Sequence, residues 1–417
     1  MPWVRQVLPV PRSPLRRTTS PLRRTRPRRS PRSRVSSSPP VESSRSCCSA
    51  IEASIGRRPV TPYSPGAGAR SGASRHALRA GARRTTLGSE IAVGITFRMD
   101  EALIAEIEAV DPRIRVMRLF EIGGRGGPDA ETKARILREI GASEVLIGTV
   151  GMPLEYFDAA KSLKWYQAIN AGLERMERAG LLRRGFAVTS GAGIASVAIA
   201  EWILGTMVML AKDLHGYVRQ QGERRWESRR SGELHGKTVG IVGLGEIGRE
   251  TSRRCRAFGM RVVATRRTVQ PGAHDPDCDE LVPYAELRRL LEVSDYVVLS
   301  LPLTTETHGV VGARELALMK PSAFLVNVSR GDVVDQDALI AALKEGLIAG
   351  AALDVTSPEP LPAESELWAF PQVILTPHMS GNVEGYGHKA AGVFIANLRR
   401  YVAGEPLDHV ASAELGY

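Results

Sequence analysis

The segment at residues 237–250, KTVGIVGLGEIGRE, constrains the fold of this chain more than any other stretch. Its first half is a short apolar run that predicts a buried strand, and three glycines follow in a G-x-G-x-x-G arrangement. The helical pattern of the next residues begins inside the glycine motif, so a strand, a tight turn and a helix follow in direct succession. Such a unit points the free N–H groups of the helix at the end of the strand, where they can bind phosphate. The segment therefore predicts a nucleotide-binding unit.

Alternating strand and helix patterns fill two stretches of the chain. Between residues 90 and 170, the apolar runs IAVGITF, IRVMRLF, EVLIGTV and LKWYQAI are separated by residues with helical spacing. After the glycine segment, the runs RVVATRR, YVVLSLP, SAFLVNVS, AALDV and VILTP repeat the arrangement. Such alternation implies parallel sheets with helices on both faces. The sequence therefore predicts the α/β class, with two doubly wound parallel-sheet domains.

The bounds of these two domains follow from the same patterns. We expect a substrate domain at residues 89–198 and a Rossmann-type cofactor domain at residues 199–381. A long apolar helix at about residues 196–220 separates the two alternating stretches. The last helical pattern, HKAAGVFIANLRRYVAG, comes after the second sheet is complete and has no strand of its own. We therefore expect residues 382–417 to return to the first domain and complete it.

The N-terminal 88 residues differ in composition from the rest of the chain. They carry 19 Arg, no Lys and 2 acidic residues, whereas the other residues carry 37 basic and 43 acidic ones. Arg, Ser and Pro dominate this tail, which lacks large apolar periodicity, and this composition predicts disorder. Three roles stay open for it: an organellar transit peptide, a nucleic-acid-binding arm, or a dispensable leader with no folded role. We do not expect the mildly acidic body to bind nucleic acid.

The cysteines and one apolar segment bear on the compartment and on membrane association. The four cysteines match neither the spacing of a zinc site nor a disulfide framework, so we expect no metal site and a reducing compartment such as the cytoplasm. Residues 192–211 are about as long as a bilayer-spanning helix. Glu201 lies in the middle of that segment, where a charge would be costly in lipid. We therefore expect a buried helix there and no membrane span.

The glycines and the strand after them predict a dinucleotide site. Gly243 allows the tight turn, Gly245 lets the pyrophosphate approach the backbone, and Gly248 lets helix and strand pack closely. An NAD site commonly carries an acidic residue about 20 residues further on. Arg266 and Arg267 stand there instead. Because an arginine can bind a 2′-phosphate through two hydrogen bonds, we predict a preference for NADP, with NAD as the alternative.

Three further motifs follow the glycine segment, in the order SRGDVVDQDAL, LDVTSPEPLP and TPHMSG. Together with the glycine motif they resemble the D-2-hydroxyacid dehydrogenase family, and within it the glyoxylate/hydroxypyruvate reductases, over residues 90–417. The resemblance implies two similar α/β domains with the active site in the cleft between them. It also implies an oxidoreductase that uses a nicotinamide cofactor to reduce a small 2-keto acid to the D-2-hydroxy acid. Members of the family are typically dimers through the region of the long apolar helix.

The catalytic Arg, Glu and His of the family match Arg330, Glu359 and His378. Reduction of a keto group requires a hydride at carbon and a proton at oxygen, and a protonated imidazole at His378 can supply the proton. A carboxylate at Glu359 would favour the protonated imidazole. Arg330 can bind the substrate carboxylate and polarise the keto group.

The resemblance also implies contacts with the substrate and the cofactor. Ala171 and Gly172 match the loop whose backbone N–H groups bind the substrate carboxylate, although Leu173-Glu174 replace the commoner Val-Asp. The positions implied for the cofactor are the three glycines with Glu246 and Ile247 at the pyrophosphate, Arg266 and Arg267 at the ribose, Pro302 beside the adenosine, and Val328 and Asp354 near the nicotinamide.

Two other enzyme classes and one class of binding protein share this scaffold. Formate dehydrogenases typically have Gln at the position of Glu359. Phosphoglycerate-type dehydrogenases usually keep the strand-end acid that Arg266 replaces. Some relatives act as NAD(H)-sensing transcriptional corepressors and retain the same three catalytic-type residues. This last alternative stays open on the sequence alone.

Overall fold

The structure is a computed structural model, and it describes residues 90–120, 128–270 and 272–415. The Arg-rich tail, with the disorder predicted for it, lies outside these residues. All of the described residues belong to one compact unit of the chain. Two separate parallel sheets form its framework, which confirms the predicted α/β class.

The first sheet carries five parallel strands within the described residues, in the order β2-β1-β3-β4-β5. Every residue of its central strands β3 and β4 is buried, as expected for a sheet covered on both faces. The loop that leaves the carboxyl end of β4 carries Ala171 and Gly172. The strands are β1 (Ile91–Ile95), β2 (Ile114–Arg118), β3 (Val145–Gly148), β4 (Trp165–Ala168) and β5 (Ala187–Thr189).

The second sheet, counted over the same described ranges, has seven parallel strands in the order β12-β11-β10-β9-β6-β7-β8. The strand order reverses between β6 and β9, and ligands of such sheets bind in the crevice at this switch point. The glycine loop follows β6 directly. The strands are β6 (Thr238–Val242), β7 (Arg261–Arg266), β8 (Glu280–Pro283), β9 (Tyr296–Leu299), β10 (Phe324–Asn327), β11 (Gly350–Leu353) and β12 (Val373–Leu375).

Helices connect the strands and cover both sheets. They are α1 (Glu101–Glu108), α2 (Ala130–Ala142), α3 (Leu154–Ala159), α4 (Glu174–Arg178), α5 (Ser196–Lys212), α6 (Leu214–Gly222), α7 (Glu246–Ala257), α8 (Leu287–Val293), α9 (Ala313–Leu318), α10 (Gln336–Glu345) and α11 (Tyr386–Ala403). No helix among the described residues is both long and apolar enough to cross a bilayer.

The prediction of one continuous helix at about residues 196–220 is wrong, because two helices, α5 and α6, occupy this segment. Asp213 has a φ of 51°, in the left-handed region, and separates α5 from α6. Aspartate is one of the few residues that adopt this conformation at moderate cost. The Asp213 carboxylate also accepts a hydrogen bond from Arg229 over 2.9 Å. The chain therefore bends where the apolar pattern alone suggested one straight helix.

Helix α5 precedes the second sheet in the sequence and helix α11 follows it, and the two helices pack on different sheets. Ile203 and Met207 of α5 lie in one apolar cluster with residues of β6 and β7. Phe394 of α11 is fully buried in a cluster with β1, and its ring lies 5.3 Å from that of Trp165 in β4. At the start of α11, the Tyr386 hydroxyl donates to the carbonyl of Ile169 over 2.7 Å. The C-terminal helix is thus part of the core of the first sheet.

Candidate active site

The glycine loop after β6 leaves no room for side chains at two of its positions. A Cβ at Gly243 would lie 2.6 Å from the carbonyl oxygen of Ser300, and one at Gly248 would lie 2.3 Å from the carbonyl oxygen of Gly243. Gly243 also has a φ of 108°, which favours glycine. The Ser300 hydroxyl donates to the carbonyl of Gly243 over 2.9 Å, and the Gly243 N–H donates to that of Thr265 over 3.0 Å. The loop is therefore a fixed tight turn.

The second glycine of the motif, Gly245, faces open space just before α7. No heavy atom lies within 4 Å of a Cβ built on Gly245, and the residue is exposed, as is Glu246 after it. Ile247 is half-buried and packs into the core beneath. The first N–H groups of a helix have no partner within the helix and carry partial positive charge. The loop therefore offers both the room and the donors that a dinucleotide pyrophosphate needs.

The end of β7 carries two arginines, each beside a carboxylate. Arg266 Nη1 lies 3.4 Å from Asp275 Oδ2, and Arg267 Nη2 lies 3.6 Å from Glu306 Oε2. Asp275 is only 3% exposed and also binds Arg249 through two hydrogen bonds of 2.8 Å. The Arg249 guanidinium holds the pKa of Asp275 below its usual value, against the opposing effect of burial. Asp275 is therefore ionised in the folded protein and divides its charge between Arg249 and Arg266.

Pro302 and Val328 follow β9 and β10 at the same edge of the second sheet. Pro302 is half-buried, and its carbonyl accepts a hydrogen bond from Thr307 Oγ1 over 2.7 Å. Val328 is buried, and its N–H donates to the carbonyl of Leu299 over 3.2 Å. Both residues thus share an edge with the glycine loop, and their contact with a cofactor stays a prediction.

Arg330 is presented by a turn after β10 that Asn327 organises. The buried Asn327 Oδ1 accepts hydrogen bonds from the N–H and the hydroxyl of Ser329, over 3.0 and 2.7 Å. Asn327 Nδ2 donates to the carbonyl of Arg330 over 3.0 Å. A Cβ at Gly331 would lie 2.0 Å from the carbonyl oxygen of Thr356, so a glycine is required there. This close approach brings the Arg330 turn against the loop that follows β11.

Glu359 and His378 lie in direct contact on the loops after β11 and β12. His378 Nδ1 is 2.9 Å from Glu359 Oε2, with the histidine side chain 50% exposed and the glutamate 39% exposed. The other carboxylate oxygen of Glu359 accepts the N–H of Thr356 over 3.3 Å. Because Nδ1 is engaged by the carboxylate, Nε2 is the ring nitrogen left to face a ligand. The pair can therefore hold and release a proton at an accessible surface.

Asp354 holds the loop that carries His378. Its carboxylate is 1% exposed and accepts hydrogen bonds from Thr376 Oγ1 over 2.5 Å and from the N–H groups of Met379 and Ser380 over 2.9 Å each. Its carbonyl accepts the N–H of His378 over 2.8 Å. His378 has a φ of 51°, which is uncommon for a residue other than glycine. Asp354 thus fixes the backbone of His378, and its predicted contact with the nicotinamide stays a prediction.

Two predicted substrate-binding elements meet between the two sheets. Arg330 Nη2 would lie 1.8 Å from a Cβ built on Gly172, so the guanidinium comes as close as a glycine allows. Ala171 beside it is exposed. Glu174, the first residue of α4, binds the same guanidinium, with 3.0 Å between Arg330 Nε and Glu174 Oε1. The structure thus brings the loop after β4 and the turn after β10 into contact.

A cleft of about 710 Å³ opens beside this contact. It extends from Glu174 to Arg267, along the loop that follows β9 and the C-terminal segment. The three residues predicted to be catalytic do not line it, so it lies next to them and not around them. Within the described part of the chain, no group of three or more His, Cys, Asp or Glu side chains is arranged to hold a metal ion.

Comparison with known proteins identifies the family. A profile described as "D-isomer specific 2-hydroxyacid dehydrogenase, NAD binding domain" matches residues 204–380. The chain is also 38% identical over 262 residues to a glyoxylate reductase of Thermococcus gammatolerans, a match that covers 60% of this chain and 77% of that protein. The chain belongs to the D-isomer specific 2-hydroxyacid dehydrogenase family. A glyoxylate reductase of Thermococcus litoralis is 34% identical to this dehydrogenase over 304 residues, covering 70% of this chain and 90% of the relative.

A solved structure of the same family supports the assignment. The D-isomer specific 2-hydroxyacid dehydrogenase of Xanthobacter autotrophicus Py2, in complex with NADPH and MES, superimposes with a TM-score of 0.65 at 28% identity. The match covers 79% of this chain and 100% of that one. The predicted family and the predicted enzyme class are both confirmed. The dehydrogenase is an oxidoreductase of 2-hydroxy acids that uses a nicotinamide cofactor.

Sequence reasoning missed the polar residues that hold the loops of the dehydrogenase. Ser300 supports the glycine loop, Asn327 shapes the Arg330 turn, and Asp275 joins two arginines. Each acts on residues elsewhere in the chain, so no periodic pattern marks it. One weak signal was present at Asn327, a polar side chain inside the otherwise apolar run FLVNV. Asp275 lies in the loop between β7 and β8, where an acidic residue is common and does not indicate a buried contact.

Proposed function

We propose that the dehydrogenase reduces glyoxylate, hydroxypyruvate and similar small 2-keto acids to D-2-hydroxy acids. The observation that carries this proposal is the 2.9 Å contact between His378 Nδ1 and Glu359 Oε2, on loops neighbouring the Arg330 turn. Reduction of a 2-keto acid requires a charged group that binds the substrate carboxylate and a proton donor close to it. Here the two groups lie on adjacent loops. The two relatives named glyoxylate reductase support the choice of small substrates.

In this proposal each residue has a separate task. Arg330 and the backbone of Ala171-Gly172 bind and orient the substrate carboxylate. His378, protonated at Nε2, transfers a proton to the keto oxygen, and Glu359 stabilises the positive charge of the imidazolium. A bound nicotinamide would supply the hydride. Asp354 keeps His378 in place through the hydrogen bonds of its loop.

The glycine loop and the edge residues would hold the cofactor. We propose that the first turn of α7 binds the pyrophosphate, that Pro302 lies beside the adenosine, and that Val328 and Asp354 flank the nicotinamide. We further propose that NADPH is preferred, with Arg266 and Arg267 at the 2′-phosphate. The NADPH complex of the Xanthobacter relative supports this choice. Arg266 pairs with the buried Asp275 and Arg267 with the exposed Glu306, so a 2′-phosphate at Arg267 would compete with the more exposed carboxylate of the two.

The cofactor preference is tested by removing one strand-end arginine. Arg267→Ala should weaken NADPH binding about 10- to 100-fold, because a charge-assisted hydrogen bond contributes about 1.5–3 kcal/mol. NADH binding should stay unchanged. Arg261→Ala is the matched control, since Arg261 lies at the opposite end of β7 and pairs with Glu280. Equal losses for NADPH and NADH in Arg267→Ala would contradict the preference.

Assembly and domain organisation are proposed on the same basis. We propose a substrate domain of residues 89–198 completed by residues 382–417, a cofactor domain of residues 199–381, and a homodimer formed through α5 and α6. The exposed apolar side chains of Leu214 and Val218, together with the fully exposed Trp226, support a subunit contact there. Sedimentation of the full chain would test it, with a mass of twice 45.2 kDa expected.

The corepressor alternative is not favoured, because the chain's relatives reported above are enzymes.

We propose the cytoplasm as the location, which the buried free thiols of Cys255 and Cys278 support. Imaging of a fluorescent fusion of the full chain tests this, and accumulation in an organelle would instead favour the transit-peptide role of the tail.

The proposed substrate class is tested by a panel of 2-keto acids. The purified full-length protein should consume NADPH faster with glyoxylate and hydroxypyruvate than with 2-keto acids of longer side chain. Chiral chromatography of the product from hydroxypyruvate should give D-glycerate. A preference for the longer acids would overturn the substrate class but not the family.

A further inference from the structure

The guanidinium of Arg330 is already bound by a carboxylate of the chain itself. Arg330 Nε lies 3.0 Å from Glu174 Oε1, and Arg330 Nη2 lies 3.3 Å from Glu174 Oε2. The two residues are 156 positions apart; Glu174 begins α4, after β4 of the first sheet, and Arg330 lies in the turn after β10 of the second sheet. The Glu174 carboxylate thus lies on the side of the guanidinium where a free carboxylate, such as that of a 2-keto acid, can bind.

The contacts of Arg330 with Glu174 occupy the Nε/Nη2 side of its guanidinium. A guanidinium has five N–H donors. Nη2 donates to Glu174 Oε2, Nε lies within ion-pair distance of Glu174 Oε1, and Nη1 donates to the carbonyl of Ser329 over 2.6 Å. The Nε/Nη2 side of the group, which offers two parallel N–H bonds, is therefore filled. A substrate that binds this side must first displace Glu174.

The surroundings of Glu174 allow it to leave. The side chains of Arg330 and Glu174 are 33% and 22% exposed, so the pair is open to solvent on one side. Glu174 also lines the 710 Å³ cleft, where Arg178, four residues further along the same helix, offers the released carboxylate another cation. The backbone of the site stays in place meanwhile, because Leu173 is buried in the core of the first sheet.

We propose that Glu174 is an internal competitor of the substrate, a carboxylate that occupies Arg330 until a 2-keto acid replaces it. The proposal rests on the proposed function, since it takes Arg330 to be the group that binds the substrate carboxylate. A partly exposed ion pair of this kind favours the state in which Glu174 binds Arg330 over the state in which Glu174 is released by up to about fivefold. The apparent affinity for the substrate falls by the same factor, because only molecules with a released Arg330 can bind it.

Binding of oxamate, an unreactive analogue of a 2-keto acid, tests the proposal without turnover. Calorimetry with NADPH-saturated full-length protein would compare wild type with Glu174→Gln, which removes the charge and keeps the shape. We expect the variant to bind oxamate about fivefold more tightly. The KM for glyoxylate should fall by a similar factor, and kcat should change little.

Two further variants separate pairing from general charge. Glu177→Gln removes the same charge from the same helix and the same cleft, but Glu177 pairs with Arg183, so oxamate affinity should stay at the wild-type value. Glu174→Asp keeps the charge and shortens the reach to Arg330. It should bind oxamate more tightly than wild type if pairing is what matters.

The outcomes are distinct. Weaker oxamate binding and lower kcat in Glu174→Gln would overturn the proposal and make Glu174 a positioning residue for Arg330. Equal changes in oxamate affinity in Glu174→Gln and Glu177→Gln would overturn it, because the overall electrostatic potential of the cleft would then explain both changes. If wild type neither bound oxamate nor reduced any 2-keto acid, the proposed function itself would fail, whatever the variants did.

Discussion

Among single residues, His378 carries the proton that the proposed reduction requires. Its Nδ1 contacts Glu359 while Nε2 is left for the substrate. His378→Ala should therefore lower kcat by about 10²–10⁴-fold, the usual contribution of a positioned general acid. The affinity for NADPH should be nearly unchanged, because the residue lies on a loop after β12, away from the glycine loop. Steady-state kinetics and NADPH titration measure both quantities, and wild-type turnover in the variant would remove His378 from the mechanism.

The buried carboxylate of Asp275 should contribute to stability in a pH-dependent way. Its pKa is lowered in the folded state by the Arg249 guanidinium, whereas an unfolded Asp titrates near pH 4. The contribution is thus complete above that value and is lost as the pH falls through the lower folded pKa. Asp275→Asn should reduce the free energy of unfolding by about 2–3 kcal/mol at pH 7, and by less at pH 3.

Urea unfolding at the two pH values measures this difference. Asp158→Asn is the matched control, because Asp158 is exposed and its pair with Arg184 should contribute almost nothing. A loss in Asp275→Asn that is the same at pH 7 and pH 3 would contradict the ionised state of Asp275.

Residue identities in the site could be predicted where a motif carries them, and not where contacts join distant segments. The sequence placed Glu359 and His378 in one site, and the structure has them 2.9 Å apart. It also noted Glu174 as a departure from the family pattern, without predicting its contact with Arg330. The bonds between Arg249 and Asp275 join residues 26 positions apart through an irregular loop. Such contacts depend on three-dimensional packing and leave no periodic trace.

At the scale of elements, Gly248 decides how closely α7 approaches β6. A Cβ there would lie 2.3 Å from the carbonyl of Gly243, so Gly248→Ala should push the helix away from the glycine loop. We expect a loss of about 1–3 kcal/mol in the free energy of unfolding, together with weaker NADPH binding. In α11, Gly392 has no heavy atom within 4 Å of its built Cβ, so Gly392→Ala should gain up to about 1 kcal/mol.

Chemical denaturation and NADPH titration of both variants would check this. Unchanged stability and binding in Gly248→Ala would show that the loop relaxes freely, which contradicts its description as a fixed turn.

Elements themselves could be predicted when their patterns are long and apolar. The strand that precedes the glycine motif and the strand that follows it are where the sequence placed them. The edge strands β5 and β8 were missed. β8 begins with Glu280 and ends with Pro283, residue types that are depleted in strands. The break at Asp213 was missed because the apolar spacing continues across it.

At the scale of the whole molecule, the first sheet depends on a helix from the far end of the chain. Phe394 of α11 is fully buried and stacks on Trp165. Phe394→Ala should cost about 3–5 kcal/mol. Hydrogen exchange should show the loss of protection mainly in β1 and β4, with β6 and β10 less affected.

A phenylalanine of the other sheet provides the control for this variant. Phe258→Ala, at the end of α7 and 47% exposed, should change stability by less than about 0.5 kcal/mol. Equal loss of protection across both sheets in Phe394→Ala would contradict a selective role of α11 in the first sheet.

The two-sheet architecture could be predicted from the sequence because strand and helix patterns alternate throughout. The contact between the sheets at Arg330 and Glu174 could not, since it depends on how the two halves meet. That contact also brings the loop after β4 against the Arg330 turn of the second sheet, so the proposed site is built from both sheets.

NADPH consumption by the purified full-length protein with glyoxylate, run beside His378→Ala, tests whether the dehydrogenase reduces 2-keto acids with His378 as proton donor. We expect wild-type turnover at ordinary enzyme rates, about 1–10³ s⁻¹, and its near loss in the variant with cofactor binding retained. A wild-type protein that binds NADPH but consumes it with no 2-keto acid would show that the proposed function is wrong.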